Sequence, residues 1–197
     1  MSSTLPAALP DLFTYREALA AGVTKYHIYA LREAHVIEPI ARGLYRRADP
    51  HDLVDLDQLE IARRAPRATL CLTTALAHHR LTDANPASLD VALPAGTRRP
   101  KVAAPVTWHQ FDRSTFEIGR NTTPVDAQTD IGVYNAERSI IDAFRFRHSE
   151  GDDLAYTALR RWMRRPNTSP ATLYKMARQF PRTLSTITKA LEILQYE

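Results

Sequence analysis

The chain has 197 residues, 44% of them apolar and 24% charged, with a formal net charge of +4. Such a composition belongs to folded globular protein and excludes a collagen-like repeat or a disordered tail, and one cysteine, Cys71, excludes an internal disulfide. No apolar run is long enough to span a membrane and no secretory leader is visible, so the expected location is cytoplasmic.

Residues 1–12 place Pro6 and Pro10 among Ala and Leu, which suits a short first helix or an ordered arm. Thr14 and Glu17 then stand in the T-x-x-E spacing of a capping box, in which each side chain accepts from the other's free backbone N–H at a helix start. Phe13 and Ala18 can pack across that start, and the Ala/Leu-rich run favours helix to Ala21. Gly22 supplies a left-handed turn, Val23 can plug the angle between two helices, and Thr24 can cap a second helix beginning at Lys25. At 100° per residue, Thr24, Ile28, Leu31 and His35 share one side of it, and Lys25, Tyr26, Tyr29, Arg32 and Glu33 the other. Lys and Arg reach phosphates or guanine edges, and Tyr donates to phosphate or packs on sugar, which makes the outward side a candidate recognition surface.

Residues 36–40 and Leu44-Tyr45-Arg46-Arg47 flank Ala41-Arg42-Gly43 as a hairpin with glycine at its turn. Arg42 at the tip and Arg46 and Arg47 on the return strand are positioned to lie along a phosphate backbone or enter the minor groove. Five Lys/Arg face two Glu between residues 22 and 47. Helix, glycine turn, basic helix and basic hairpin in this order read as a winged helix-turn-helix that binds duplex DNA. The competing reading is a protein-docking module whose charges are simply solvated.

Pro50 follows the hairpin and the apolar periodicity lapses over residues 48–54, which places a domain boundary near Leu53 and divides the chain into 1–53 and 54–197. Beyond it, Leu56, Leu59 and Ala62 indicate a helix ending before Pro66, and Thr73 or Thr74 can cap another running to Leu81. Alternation at Leu89/Val91/Leu93, Val106/Trp108/Gln110, Phe116/Ile118 and Ile131/Val133 indicates a small, mostly antiparallel sheet. Between the first two strands, Arg98, Arg99 and Lys101 form a basic loop read as solvated. A helix opens at Asn135 with Glu137 in its first turn and buries Ile140, Ile141 and Phe144. Asp152 or Asp153 can cap the next, Ser169-Pro170 opens another, and a last helix covers about 183–195. The expected fold class is therefore α+β, a winged helix followed by a sheet with several helices.

Nine Lys/Arg against three Asp/Glu between residues 145 and 182 make the C-terminal third the most basic part of the chain. Arg160, Arg161, Arg164 and Arg165 share one arc of a helix opposite Leu159, Trp162 and Met163. Three readings of that arc stand: a solvated face, a second DNA or RNA contact, or a docking patch for an acidic protein.

Enzyme chemistry is not expected. His78 and His79 are adjacent and diverge on a helix, and Cys71 has no nearby cysteine, so no zinc pattern forms. The six glycines make neither G-x-x-x-x-G-K nor G-x-G-x-x-G, and Glu137, Arg138 and Asp142 read as a helix start tied to a sheet rather than a catalytic group. No metal or cofactor is expected.

The residues also carry a family resemblance. Ala21-Gly22-Val23-Thr24, Leu31, Ile37 and Arg42-Gly43-Leu44-Tyr45-Arg46 resemble the N-terminal domain of the AbiEi antitoxins of bacterial type IV toxin-antitoxin systems. His78-His79-Arg80-Leu81 and the run from Val133 to Asp142, with Glu137-Arg138-Ser139, are similar to later segments of that family. Ala34-His35 departs from it, since relatives often close the recognition helix with glycine. The resemblance implies binding to repeats in the chain's own promoter, autorepression, and a C-terminal domain that opposes a nucleotidyltransferase toxin of the AbiEii type without necessarily forming a stable complex. Two alternatives remain open: a stand-alone regulator with a sensing or dimerisation domain, and an atypical enzyme that modifies a toxin covalently.

Overall fold

The computed structural model describes residues 5–49 and 54–195. The protein is α+β, with a three-stranded and a five-stranded sheet among the described residues. The first unit runs β1 (Leu12–Thr14), α1 (Tyr15–Ala20), α2 (Lys25–Glu33), β2 (Ile37–Ala41) and β3 (Leu44–Arg47), with strands in the antiparallel order β1-β3-β2. The segment before β1 is an arm rather than a helix. Leu9 donates its N–H to the Pro6 carbonyl, and Leu5 and Leu9 are buried with Phe13, Ala18, Val23, Ile28, Leu31 and Ile37. Strand β1 itself was not expected, because three residues are too few to establish alternation.

The expected boundary at Leu53 lies outside the described residues. The chain continues with α3 (Leu56–Arg64), β4 (Thr69–Leu70), α4 (Leu72–His78), β5 (Leu89–Pro94), β6 (Val106–Phe111), β7 (Arg120–Pro124) and β8 (Asp130–Tyr134). Five helices follow: α5 (Ala136–Arg145), α6 (Arg147–Glu150), α7 (Asp152–Met163), α8 (Pro170–Ala177) and α9 (Pro181–Gln195). The larger sheet has the order β6-β5-β4-β8-β7. It is mixed where a mostly antiparallel sheet was expected, since β5 runs parallel to β6 and β4 parallel to β8. Alternation reports which face a side chain takes and is silent on the direction of the neighbouring strand.

Local expectations differ at several other points. Phe116 and Ile118 lie in turns ahead of β7, and their apolar character reflects burial: Phe116 packs on Tyr134 and its carbonyl accepts the Tyr134 hydroxyl at 2.9 Å. Helix α4 is entered through Cys71 without a side-chain cap, and Thr74 instead accepts the Asp90 N–H at 2.8 Å. Helix α7 is entered through Gly151, leaving Asp152 and Asp153 in its first turn, where they favour the positive end of the helix dipole. Ser169 and Pro170 open α8 in the expected positions, although the Ser169 side chain makes no capping bond.

One face of the larger sheet packs Leu70, Val91, Leu93, Ile131 and Val133 against Ile61 and Ala62 of α3. The alternate position, Ala92, joins Cys71, Phe111, Phe116 and Tyr134 in a second cluster, and the helices bury a third around Ile140, Phe144, Leu159, Trp162 and Ile187. The two sheets meet through Leu12, Leu44 and Leu59, with Ile40 and Val125 packed alongside. Arg63 of α3 forms an ion pair with Glu17, and Arg64 Nη2 donates to the Arg42 carbonyl at 3.1 Å, so α3 supports both the first helix and the hairpin tip. No helix among the described residues is long and apolar enough to cross a membrane.

Candidate nucleic-acid interface

The capping box forms as the spacing requires: Thr14 N donates to Glu17 Oε2 at 2.6 Å and Glu17 N to Thr14 Oγ1 at 3.2 Å. Helix α1 closes through Gly22 at φ +82°, with Val23 N donating to the Ala18 carbonyl at 3.0 Å and Gly22 N to that of Leu19. These are the two bonds of a Schellman turn. Val23 is buried at the helix–helix angle, and Thr24 caps α2 by accepting His27 N at 3.2 Å.

Helix α2 buries Ile28 and Leu31 and turns Lys25, Tyr26 and Tyr29 to the exterior. Tyr26 is 88% exposed and Tyr29 52%, so two large aromatic side chains stand in water on one short helix. Lys25 Nζ lies 5.9 Å from the Tyr29 ring centre and the Arg32 guanidinium 6.0 Å from it. The structure thus gathers Lys25, Tyr29 and Arg32 around a single ring, a cation–π arrangement that orders long cationic side chains. Arg32 is half-buried, and its Nε is a buried donor without an acceptor among the described residues. Arg16, exposed in the first turn of α1, is a cation the sequence pattern did not single out.

His35 does not share the inward face. The helix ends at Glu33, and His35 is exposed at φ +53° with its N–H on the Arg32 carbonyl, while Val36 N donates to Leu31 O at 2.9 Å. A second Schellman turn therefore closes α2 with histidine in the left-handed position that glycine ordinarily takes.

In the hairpin, Ala41 pairs with Leu44 around a two-residue turn, with Gly43 at φ +72° and Arg42 exposed at the tip as expected. Arg46 and Arg47 differ from expectation, each being engaged by protein partners. Arg46 is 7% exposed in the central strand β3, and its Nε donates to Glu38 across the hairpin. Arg47 pairs with Asp11 at 2.8 Å and donates to the Pro6 and Leu9 carbonyls at 3.2 Å each, binding the arm to the sheet. The expected contact of both with a phosphate backbone or the minor groove rests on a strand pattern, which gives the side of a residue and not the carboxylate waiting there.

The arginine arc of α7 is also partly committed. Arg161 forms a forked pair with Asp83, its Nη1 donating at 2.8 Å, and Arg165 donates to the His79 carbonyl. Asp83 is held below the usual carboxylate range by this Arg161 hydrogen bond and charge. Arg164 is exposed, and Arg160 is half-buried. The arc is therefore not four equivalent solvent-facing cations.

Glu137, Arg138 and Asp142 hold the body together. Arg138 is fully buried; its Nε donates to Asp142 at 2.8 Å and its Nη1 to the Thr115 and Ile118 carbonyls at 2.6 Å each. Its guanidinium lies 4.3 Å from the Tyr134 ring centre and 4.5 Å from that of Phe180. Burial pushes the Asp142 carboxyl up, opposed by Arg138 and Arg145, and Glu137 accepts the Trp162 indole N–H at 3.3 Å. Cys71 is fully buried. His79 turns inward, Nε2 2.7 Å from the Tyr134 carbonyl, and burial lowers its pKa.

A basic aromatic helix face, an arginine-tipped hairpin and an arm clamped beneath them are thus one contiguous N-terminal unit. Residues 7–48 match the family model described as transcriptional regulator, AbiEi antitoxin. The resemblance to the AbiEi antitoxins therefore stands on the unit that holds every exposed residue of the candidate reading face. The match supports the role of an antitoxin regulator. No match was found among curated proteins.

Proposed function

We propose that the chain is a DNA-binding autorepressor and antitoxin of a type IV toxin-antitoxin operon, acting against a nucleotidyltransferase toxin of the AbiEii type. The observation that carries this reading is the exposure of Tyr26 and Tyr29 beside Lys25 on α2, within the segment that matches the antitoxin regulators. Helix α2 enters the major groove, where Lys25 and Arg32 meet guanine edges or phosphates and the tyrosines pack on sugar and phosphate. Arg42 at the hairpin tip meets the neighbouring backbone. The remainder of the chain opposes the toxin by binding or by an indirect route, and the protein performs no covalent chemistry. Its place of action is the cytoplasm, where promoter and toxin are both found.

Fluorescence anisotropy of the full chain on its own upstream DNA and on random duplex, at two salt concentrations, tests the reading. Arg32→Ala, which removes the guanine-edge contact, is expected to lose about 1–3 kcal/mol on the promoter and much less on random DNA. Equal losses on both duplexes would remove α2 as the reading helix. Growth rescue when the full chain is co-expressed with the nucleotidyltransferase tests antitoxicity separately.

A further inference from the structure

The end of α5, the short α6 and the first turn of α9 line an open depression of about 320 Å³ to which no residue of the winged helix contributes. Its lining includes Arg145, Arg147, Arg182, His148, Thr183 and Phe146. Two of the guanidinium groups are held in place. Arg145 pairs with buried Asp142, and Arg147 donates to the Phe144 carbonyl and the Thr186 hydroxyl at 3.3 Å each, with Asp152 at 3.5 Å. Arg182 is exposed and has no hydrogen-bond or ion-pair partner among the described residues.

Carboxylates among the described residues reach two of these arginines. Asp142 is shared between Arg145 and the fully buried Arg138, which does not line the pocket. Asp112, whose carboxyl is lowered chiefly by Ser114 and further by Arg145, and Asp152 are the other carboxylates that reach these arginines among the described residues. Three guanidinium groups, those of Arg145, Arg147 and Arg182, thus line one pocket. Helix α9 also begins here, at Pro181, with no acidic residue in its first turn, so the positive end of a 15-residue helix opens on the same space.

We propose that this pocket binds the phosphate group of a small phosphorylated molecule. Guanidinium forks match phosphate oxygens two at a time, and pre-anchored forks lose little freedom on binding. The volume lies at the lower end of the range for small-molecule pockets, which suits a phosphate group.

Isothermal titration of the full chain with inorganic phosphate and, separately, with ATP tests the proposal. Saturable binding of either that weakens at least tenfold in Arg182→Gln, and is unchanged in the loop variant Arg98→Gln, supports the site. Tighter binding of ATP identifies a nucleotide as the source, and equal binding identifies free phosphate. The proposal is overturned if neither titrant binds saturably, or if Arg182→Gln leaves binding unchanged. It is also overturned if Arg182→Gln weakens promoter DNA as much as it weakens the titrant, since the residue would then belong to a nucleic-acid surface. Promoter binding by Arg182→Gln otherwise stays within twofold of the unmodified chain, so failure here leaves the DNA-binding reading of α2 intact.

Discussion

Arg46→Ala distinguishes a hairpin that grips DNA through this residue from one that is held together by it. Arg46 sits in the central strand of a three-stranded sheet, opposite Leu12 on one side and Glu38 on the other. Its side chain is nearly inaccessible, whereas the Glu38 side chain is 38% exposed and can rehydrate once its partner is gone. The lost charge-assisted bond therefore falls at the lower end of the 1.5–3 kcal/mol range, about 1.5 kcal/mol. Exposing the cavity left by the buried stem adds about 1 kcal/mol, for a total of about 2–3 kcal/mol. Urea unfolding of the full chain measures this. Promoter affinity at several salt concentrations, at a temperature where both proteins remain folded, measures the alternative. A phosphate contact removed would make the plot of log affinity against log salt shallower by about 0.9, and the expected change is none. Unaltered stability together with a shallower slope would refute the structural assignment.

Three further substitutions probe the same reasoning. Arg138→Met removes one of buried Asp142's two arginine partners and strands two carbonyls, and is expected to destabilise by about 3 kcal/mol in urea unfolding, with less than 1 kcal/mol contradicting the network. Arg138→Lys is expected to recover little of this, because an ammonium cannot reproduce the fork between the Tyr134 and Phe180 rings. His35→Gly relieves a left-handed residue at the end of α2 and is expected to raise stability by about 0.5–1 kcal/mol without altering promoter affinity; reduced affinity would give the imidazole a contact on DNA.

What could be read from the residues alone was local. Thr14 with Glu17, Gly22, and Thr24 before Lys25 act over three or four positions, and the two helices and their caps follow from them. The fate of the cations was not local. Arg47 is claimed by Asp11 and two arm carbonyls, and Arg161 by Asp83, 78 positions away, which no periodicity encodes. Strand direction was hidden for a similar reason, and β4, two residues long, leaves no alternation at all. Tyr26 and Tyr29 lie on the exterior as the helical period places them. The arginines of the hairpin's return strand are instead taken up by protein partners, because arginine is as useful to a sheet as to a phosphate.

Glu17 shows how far the reading head depends on the rest of the chain. Its Oε2 receives the Thr14 N–H inside the unit, and its Oε1 receives Arg63 from α3. The Thr14 backbone bond is the largest cause holding its pKa below the ordinary 4.5; Arg63 adds a smaller lowering and burial opposes it. A carboxylate with a depressed folded pKa contributes stability above its unfolded pKa and loses it as pH falls through the folded value. The stability advantage of the unmodified chain over Glu17→Gln should therefore be full at pH 6 and shrink below about pH 4.5, as read by thermal unfolding. Arg63→Ala, which removes an exposed pair, is expected to cost no more than about 1 kcal/mol and to leave most of that pH dependence in place. If Arg63→Ala abolished it, the first helix would owe its start to α3 rather than to its own cap, and the N-terminal unit could not hold its shape on DNA independently of the body.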